Sequence, residues 1–382
     1  MSMRVSYKKQ IILFMIFILL TSIIVELVIR NVDIIKPQCD FVNSKLFSNL
    51  TNSEKNQMCE EYNSLEYDYS QPLATLKPNQ KGKFVNINSD GFRGKEINFT
   101  DNVYKIFFLG GSTTFGIVTT SDEKTIPGQV EEILKKKGYN VEIVNAGVGK
   151  STTIDEIYIL KEKVLHYQPN MIVMYDGWND VVQFERLKLQ LSYEEYLKNN
   201  HYRNNEIENK KLNNQGTGII KYFEKIDYRT GLGIILFLKD LIRQVDTQVT
   251  TNNLSRDIDS VKLSKIESTM IENWSEVCSL GKNNGFRTIN IIQPILGTDA
   301  RHVNADEIKL LSSSEYGKYL KMLKLEKRLD SCENVVDLRE AFSDRNEILI
   351  YYDPGHMSDF GYRIVAERIT EEIIPIIEKD SS

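Results

Sequence analysis

Three short stretches of this 382-residue chain carry side chains whose types and order suit acyl transfer. Ser112 lies in Gly110-Gly111-Ser112-Thr113-Thr114-Phe115-Gly116, directly after the apolar run YKIFFL. A serine on such a strand-to-helix turn presents its hydroxyl above a sheet, with its backbone N–H aimed at the same point. The stretch is not a G-x-S-x-G elbow, because Thr114 stands where the last glycine belongs. Gly177-Trp178-Asn179-Asp180 follows the run MIVMY and offers the Asn179 amide as a donor beside a turn that Gly177 makes possible. Asp353-Pro354-Gly355-His356 sets a carboxylate three residues before an imidazole. That carboxylate can turn back to accept the Nδ1–H, which fixes the tautomer and leaves Nε2 as the base.

These stretches need a scaffold that brings them to one rim. From Val103 onward, apolar runs alternate with helical patterns, the signature of an α/β fold with a parallel sheet. Strands are expected at 104 to 109, 141 to 144, 171 to 175 and 286 to 292, with a weaker one at 335 to 338. Helices are expected at 126 to 137, 153 to 167, 262 to 283 and 358 to 377. The candidate site stretches then fall at strand ends, where open α/β sheets place their ligands. Between about 183 and 261 the alternation fails in a tract rich in Asn, Lys and Tyr, with one apolar helix-like piece at 231 to 245. This insertion reads equally well as a lid or partner surface and as a solvated loop with one packing helix. Residues 30 to 100 are a polar, turn-rich lead-in to the domain at 101 to 382, and Ser89-Asp90-Gly91 is a turn signal between short strands.

The joint order of these pieces resembles the SGNH (GDSL-like) hydrolase superfamily, over residues 84 to 376 without the insertion. The resemblance implies a three-layer α/β/α fold with a mostly parallel, flavodoxin-like sheet. It also implies Ser112 as nucleophile, Asn179 as oxyanion donor, and Asp353 with His356 as the remaining catalytic pair. The GGST form in place of GDS, preceded by N-S-D-G-F-R-G at 88 to 94, resembles a branch of membrane-anchored or exported members. The family's second block ends in glycine, whereas here Asn145-Ala146-Gly147-Val148-Gly149 is followed by Lys150. A lysine keeps the N–H but resists positive φ. The oxyanion hole is therefore left to Lys150 N–H in an ordinary conformation, to Gly149, or to a weaker arrangement. Gly177 and Trp178 are candidate substrate-binding residues, and packing of Trp178 on the sheet edge is an equal alternative.

The first thirty residues point to a membrane. Ile11 to Ile29 reads IILFMIFILLTSIIVELVI, in which only Thr21, Ser22 and Glu26 are polar. At about 1.5 Å per residue this run covers about 28 Å, close to the hydrocarbon thickness of a bilayer. Arg4, Lys8 and Lys9 precede it with no acidic residue, so residues 1 to 10 are expected in the cytoplasm, 11 to 29 as a signal anchor, and the rest outside. A cleaved signal peptide is the competing reading, but no alanine precedes Ala74 to make a cleavage site. Four cysteines, Cys39, Cys59, Cys278 and Cys332, suit two disulfides in an oxidising compartment, and proximity suggests Cys39 with Cys59 and Cys278 with Cys332. They show no spacing that would hold zinc, and no metal or cofactor is expected. With 48 Lys and Arg against 53 Asp and Glu, there is no basic field for nucleic acid.

The expected function is ester chemistry outside the cytoplasm through an acyl-enzyme on Ser112, either hydrolysis or O-acyl transfer, with cell-surface glycans or lipids as substrates by analogy. A competing class is a binding or assembly protein on the same scaffold, suggested by Lys150 and the polar insertion. A third is nucleotide binding, because Gly147-Val148-Gly149-Lys150-Ser151-Thr152 resembles the second half of a P-loop, with Val144 at the first glycine position. Against it stand that missing glycine and an outward-facing domain. The sequence assigns no oligomeric state.

Overall fold

The computed structural model describes residues 7–31, 39–68, 73, 75–187, 260–311, 316–325 and 332–381. The chain divides into two compact units, the first holding helix α1 (Tyr7–Asn31) and the second holding every described residue from Cys39 onward. The large apolar side chains of α1 from Leu13 to Leu20 are exposed. The sequence predicts a membrane span here. Among the described residues, however, no helix is long and apolar enough to cross a membrane.

The second unit is built on β3 (Tyr104–Gly110), β4 (Val141–Asn145), β5 (Met171–Asp176), β6 (Arg287–Ile292) and β7 (Val335–Asp337). They form one five-stranded sheet in the order β4-β3-β5-β6-β7, every pair parallel. Near-continuous apolar runs made these strands legible, because a parallel sheet is covered on both faces. The two-residue period splits β3 between two cores. Phe107 and Leu109 pack with the helices α5 (Thr153–Ile159) and α7 (Ser260–Asn284) on one face. Ile106 and Phe108 pack with α4 (Ile126–Lys136) and the C-terminal helix Asp359–Ser381 on the other. These are the expected three layers. The chain leaves β3 toward β4 on one side and reaches β5 on the other. The carboxyl ends of β3 and β5 therefore flank the switch point at which such sheets form a crevice.

Two local readings differ from the structure. The helix expected over 153 to 167 stops at Ile159 and continues as a wide π turn, Leu160–Val164, and a tight 3-10 turn, Leu165–Tyr167. The lead-in, expected to be turn-rich, contains helix α2 (Asn52–Asn63). Its start is fixed by a capping box in which Thr51 Oγ1 accepts from Glu54 N and Glu54 accepts from Thr51 N. After α2, β1 (Tyr67–Asp68) and β2 (Thr75–Leu76) form an antiparallel pair. The turn signal at 89 to 91 is realised, with Gly91 at φ +81° and Asn88 Oδ1 accepting from Asp90 N and Phe92 N. The disulfides join Cys39 to Cys59 and Cys278 to Cys332. Helix α6 (Trp178–Leu187) enters the inserted tract, whose helix-like piece at 231 to 245 lies outside the described residues.

Candidate active site

Ser112 is placed by geometry that glycine makes possible. Strand β3 ends at Gly110, Gly111 caps the one-turn helix α3 (Ser112–Phe115), and Gly116 ends it at φ +82°. Ser112 is the first residue of that turn, half-buried, and its Oγ lies 2.6 Å from His356 Nε2. His356 Nδ1 lies 2.7 Å from Asp353 Oδ2 and 2.9 Å from Oδ1. The backbone N–H groups of Gly355 and His356 also donate to Asp353 Oδ1, at 2.8 and 2.7 Å, so the carboxylate folds its own loop around itself. An ionised carboxylate only accepts, so Nδ1 carries the ring proton and Nε2 is left to accept from the Ser112 hydroxyl. Burial works to raise the Asp353 pKa, but the charge and hydrogen bond of His356 and the two N–H donors outweigh it, and it lies below the ordinary value.

Asn179 reaches the same place from α6. Its Nδ2 donates to Ser151 O at 2.7 Å and lies where a side chain on Gly111 would be, 2.1 Å from the position of a Cβ there. Glycine at 111 thus leaves room for the amide beside the serine turn. Lys150 does not adopt an ordinary conformation, as one sequence-based alternative held. Its φ is +70°, the left-handed region, and its neighbour Gly149 has no positive φ. That conformation is held despite the side chain, at a backbone cost of about 1 to 2 kcal/mol. Lys150→Gly is expected to raise stability by about 1 kcal/mol, read as a higher Tm in thermal unfolding. A lower Tm would show that contacts of the lysine side chain outweigh the strain.

The candidate substrate residues Gly177 and Trp178 each pack against a neighbouring element. A Cβ on Gly177, at φ +140°, would lie 2.9 Å from Leu320 Cδ1, and the Trp178 ring lies 3.1 Å from the position of a Cβ on Gly355. Trp178 therefore braces the loop that carries His356, and Gly355 admits its close approach. The P-loop-like run also differs from a phosphate cradle. Thr152 N donates to Asp155 at 2.8 Å and Thr153 N to Asp180 at 3.1 Å, so the N–H groups that a phosphate would need already serve carboxylates. Among the described residues there is no group of three or more His, Cys, Asp and Glu that could hold a metal ion. His302 is exposed, and the exposed His166 ring lies 4.0 Å from that of Tyr167, tilted by 38°; neither joins Ser112. His201 lies outside the described residues.

Beneath Asn179 lies a buried acid cluster. Asp180 Oδ1 accepts from both N and Oγ1 of Thr153, Asn273 donates to the same Oγ1, and Trp274 Nε1 donates to Asp176 at 2.8 Å. Glu156 is fully buried in the same cluster, where the charge of Asp176 acts on it. Burial, then the charge of Asp176, pushes Asp180 up to about 8, and burial pushes Glu156 well above the carboxylate range. A raised folded-state pKa means that the folded protein keeps a proton the unfolded chain releases. This stabilisation is complete below about pH 4 and is lost as pH rises toward 8, at about 1.4 kcal/mol per unit for one group. Asp180→Asn keeps the Oδ1 acceptor for Thr153 and is expected to flatten the fall of Tm between pH 5 and pH 8. An unchanged slope would show that Asp180 is already ionised at pH 5.

Sequence reasoning gave no role to Arg93 or to the Asn145 side chain. Asn145 Nδ2 donates to Thr114 O at 2.9 Å while its Oδ1 accepts from Gly147 N at 3.1 Å, which ties the end of β4 to the serine turn. Arg93 sits inside the quoted N-S-D-G-F-R-G segment, a polar, turn-rich stretch in which nothing local marks it as buried.

Fold and site together define a three-layer α/β protein with a Ser-His-Asp relay at the switch point of a parallel sheet. No protein-family model matches the chain, and no curated protein does. Solved structures that it resembles include the acetyl xylan esterase AlAXEase, at 18% identity and a TM-score of 0.39, covering 71% of this chain and 100% of that one. The lipase/acylhydrolase from Enterococcus faecalis matches at 18% identity and a TM-score of 0.37, over 71% of this chain and 95% of that one. The acetylxylan esterase Axe2 from Geobacillus stearothermophilus matches at 16% and 0.37, over 71% and 94%. Likeness this distant bears on neither activity nor substrate.

Proposed function

We propose that this protein is a serine-dependent ester hydrolase or O-acyltransferase working through an acyl-enzyme on Ser112. The observation that carries this reading is the continuous line from Ser112 Oγ to His356 Nε2 at 2.6 Å and from His356 Nδ1 to Asp353 at 2.7 Å. In this reading Nε2 takes the hydroxyl proton as Oγ attacks the ester carbonyl, and Asp353 stabilises the imidazolium. The N–H of Ser112, a second-block N–H at Lys150 or Gly149, and the second amide hydrogen of Asn179 hold the oxyanion. The imidazolium returns its proton to the departing alcohol as the C–O bond breaks. Water, or a sugar hydroxyl, then gives its proton to Nε2 and attacks the acyl carbon, and the imidazolium passes that proton to Ser112 Oγ as the acyl C–Oγ bond breaks. Hydrolysis and transfer differ only in that acceptor.

The membrane side of the proposal rests on sequence. The apolar run at 11 to 29 and the basic residues before it support an anchor with the N-terminus inside and the catalytic domain outside, which suits a glycan or lipid substrate of the cell surface. The full chain is expected in the membrane fraction, released by detergent and not by salt. A form lacking the first 30 residues in the medium would overturn the anchor. Purified full-length protein in detergent is expected to be labelled by a fluorophosphonate at Ser112 alone. Folded protein that stays unlabelled overturns the acyl-enzyme and leaves the binding role, which the close Ser-His contact does not favour. With an acyl donor and a glycan acceptor, acylated glycan identifies a transferase and free acid alone a hydrolase.

A further inference from the structure

We propose that the described part of the lead-in between residues 39 and 94 is a disulfide-closed clamp that positions both halves of the relay, and that Tyr352 is the positioning residue through which it acts on His356. The inference rests on the relay read above. The ring of Tyr352 lies parallel to that of His356, with centroids 5.9 Å apart and planes 13° from parallel. The Tyr352 ring also makes edge contacts with two lead-in rings, Phe41 at 6.3 Å and Phe47 at 5.7 Å. Phe41 and Phe47 are themselves in contact at 5.2 Å and are buried with Met58, Cys59, Phe84 and Val118. The Cys39–Cys59 disulfide fastens the turn that carries Phe41 to α2.

The serine half is held from the same segment. Arg93 gives one guanidinium nitrogen to Phe115 O at 2.8 Å and Gly116 O at 2.6 Å, the last carbonyls of the turn that Ser112 begins. Its other groups bond Phe84 O, Thr119 Oγ1 and Asp122, so the guanidinium is anchored on both sides. The Tyr62 hydroxyl of α2 lies 3.1 Å from both Gly116 O and Thr119 O.

The relay requires such support for a geometric reason. Hydrogen bonds at Nδ1 and Nε2 leave the imidazole able to swing about the line joining its two partners, and a stacked ring fixes that plane. A displacement of about 1 Å at a reacting group costs about 100-fold in rate. Tyr352→Ala is therefore expected to lower kcat about 10- to 100-fold with KM within about twofold. Tyr352→Phe, which keeps the ring, restores kcat to within about twofold of wild type.

The test compares these variants with Cys39→Ser/Cys59→Ser and Cys278→Ser/Cys332→Ser in the full-length protein, assayed below the Tm of each and with folding checked by circular dichroism. Both cysteine pairs are expected to lower Tm, but only loss of Cys39–Cys59 is expected to lower kcat. The downfield Nδ1–H proton resonance of His356 gives a readout independent of turnover, expected to broaden by exchange in Tyr352→Ala and to persist in Tyr352→Phe. Wild-type kcat together with an unchanged resonance in Tyr352→Ala overturns the clamp. If wild type turns over no ester yet the resonance broadens as stated, the clamp stands and the ester reading falls.

Discussion

Ser112→Ala is expected to lower ester turnover by about a millionfold in kcat, the size of loss seen when the nucleophile of a serine hydrolase on another fold is removed. The lost Oγ makes its hydrogen bond with His356, on a half-buried residue, so folding has little at stake. One such hydrogen bond contributes about 1 kcal/mol, and Tm should move by a few degrees at most. His356→Ala should match it in rate, and the double variant should be no worse than either, because the two groups act as a unit. Ester turnover by Ser112→Ala within tenfold of wild type would end the acyl-enzyme reading.

Asp353→Asn is the sharper test, because it keeps shape and changes only proton placement. The Asn Oδ1 can still accept from Gly355 N and His356 N, which hold the loop at 2.8 and 2.7 Å. The amide nitrogen, however, would donate to Nδ1 and force the ring proton onto Nε2, which then cannot take the Ser112 proton. The expected loss is about 10⁴-fold in kcat. The pH profile carries a second signature. The Asp353 pKa is depressed in the folded protein by His356 and the loop N–H groups, against burial. The stabilisation it gives is therefore present above the ordinary carboxylate pKa, near 4, and is lost as pH falls through the lower folded value. The acid limb of stability contributed by this carboxyl should be absent in the asparagine variant. A kcat within tenfold of wild type would make Asp353 a loop-shaping residue and no more.

Much of this was legible because it is local or periodic. The apolar runs YKIFFL, VEIV and MIVMY announce the strands that the structure places at 104–110, 141–145 and 171–176, since a strand buried on both faces leaves a continuous signature. The Asp353 and His356 pairing spans three residues of one loop and was visible for the same reason. The capping box at Thr51 and Glu54 is equally local, yet the polar composition around it reads as turns, and helix α2 was missed.

The amino-acid sequence thus determined the strands, the order of the reactive side chains and the pairing of the acid with its imidazole, each set by neighbours within a few positions. Only the tertiary structure decided the left-handed backbone of Lys150, the stacking of Tyr352 on His356, and the hold of Arg93 and Phe41 on the two halves of the site. Phe41 and Tyr352 meet across some three hundred positions, and such a contact leaves no periodic trace in either segment. It exists because a disulfide-fastened turn finds its apolar complement only after the sheet has brought the far end of the chain to the same rim.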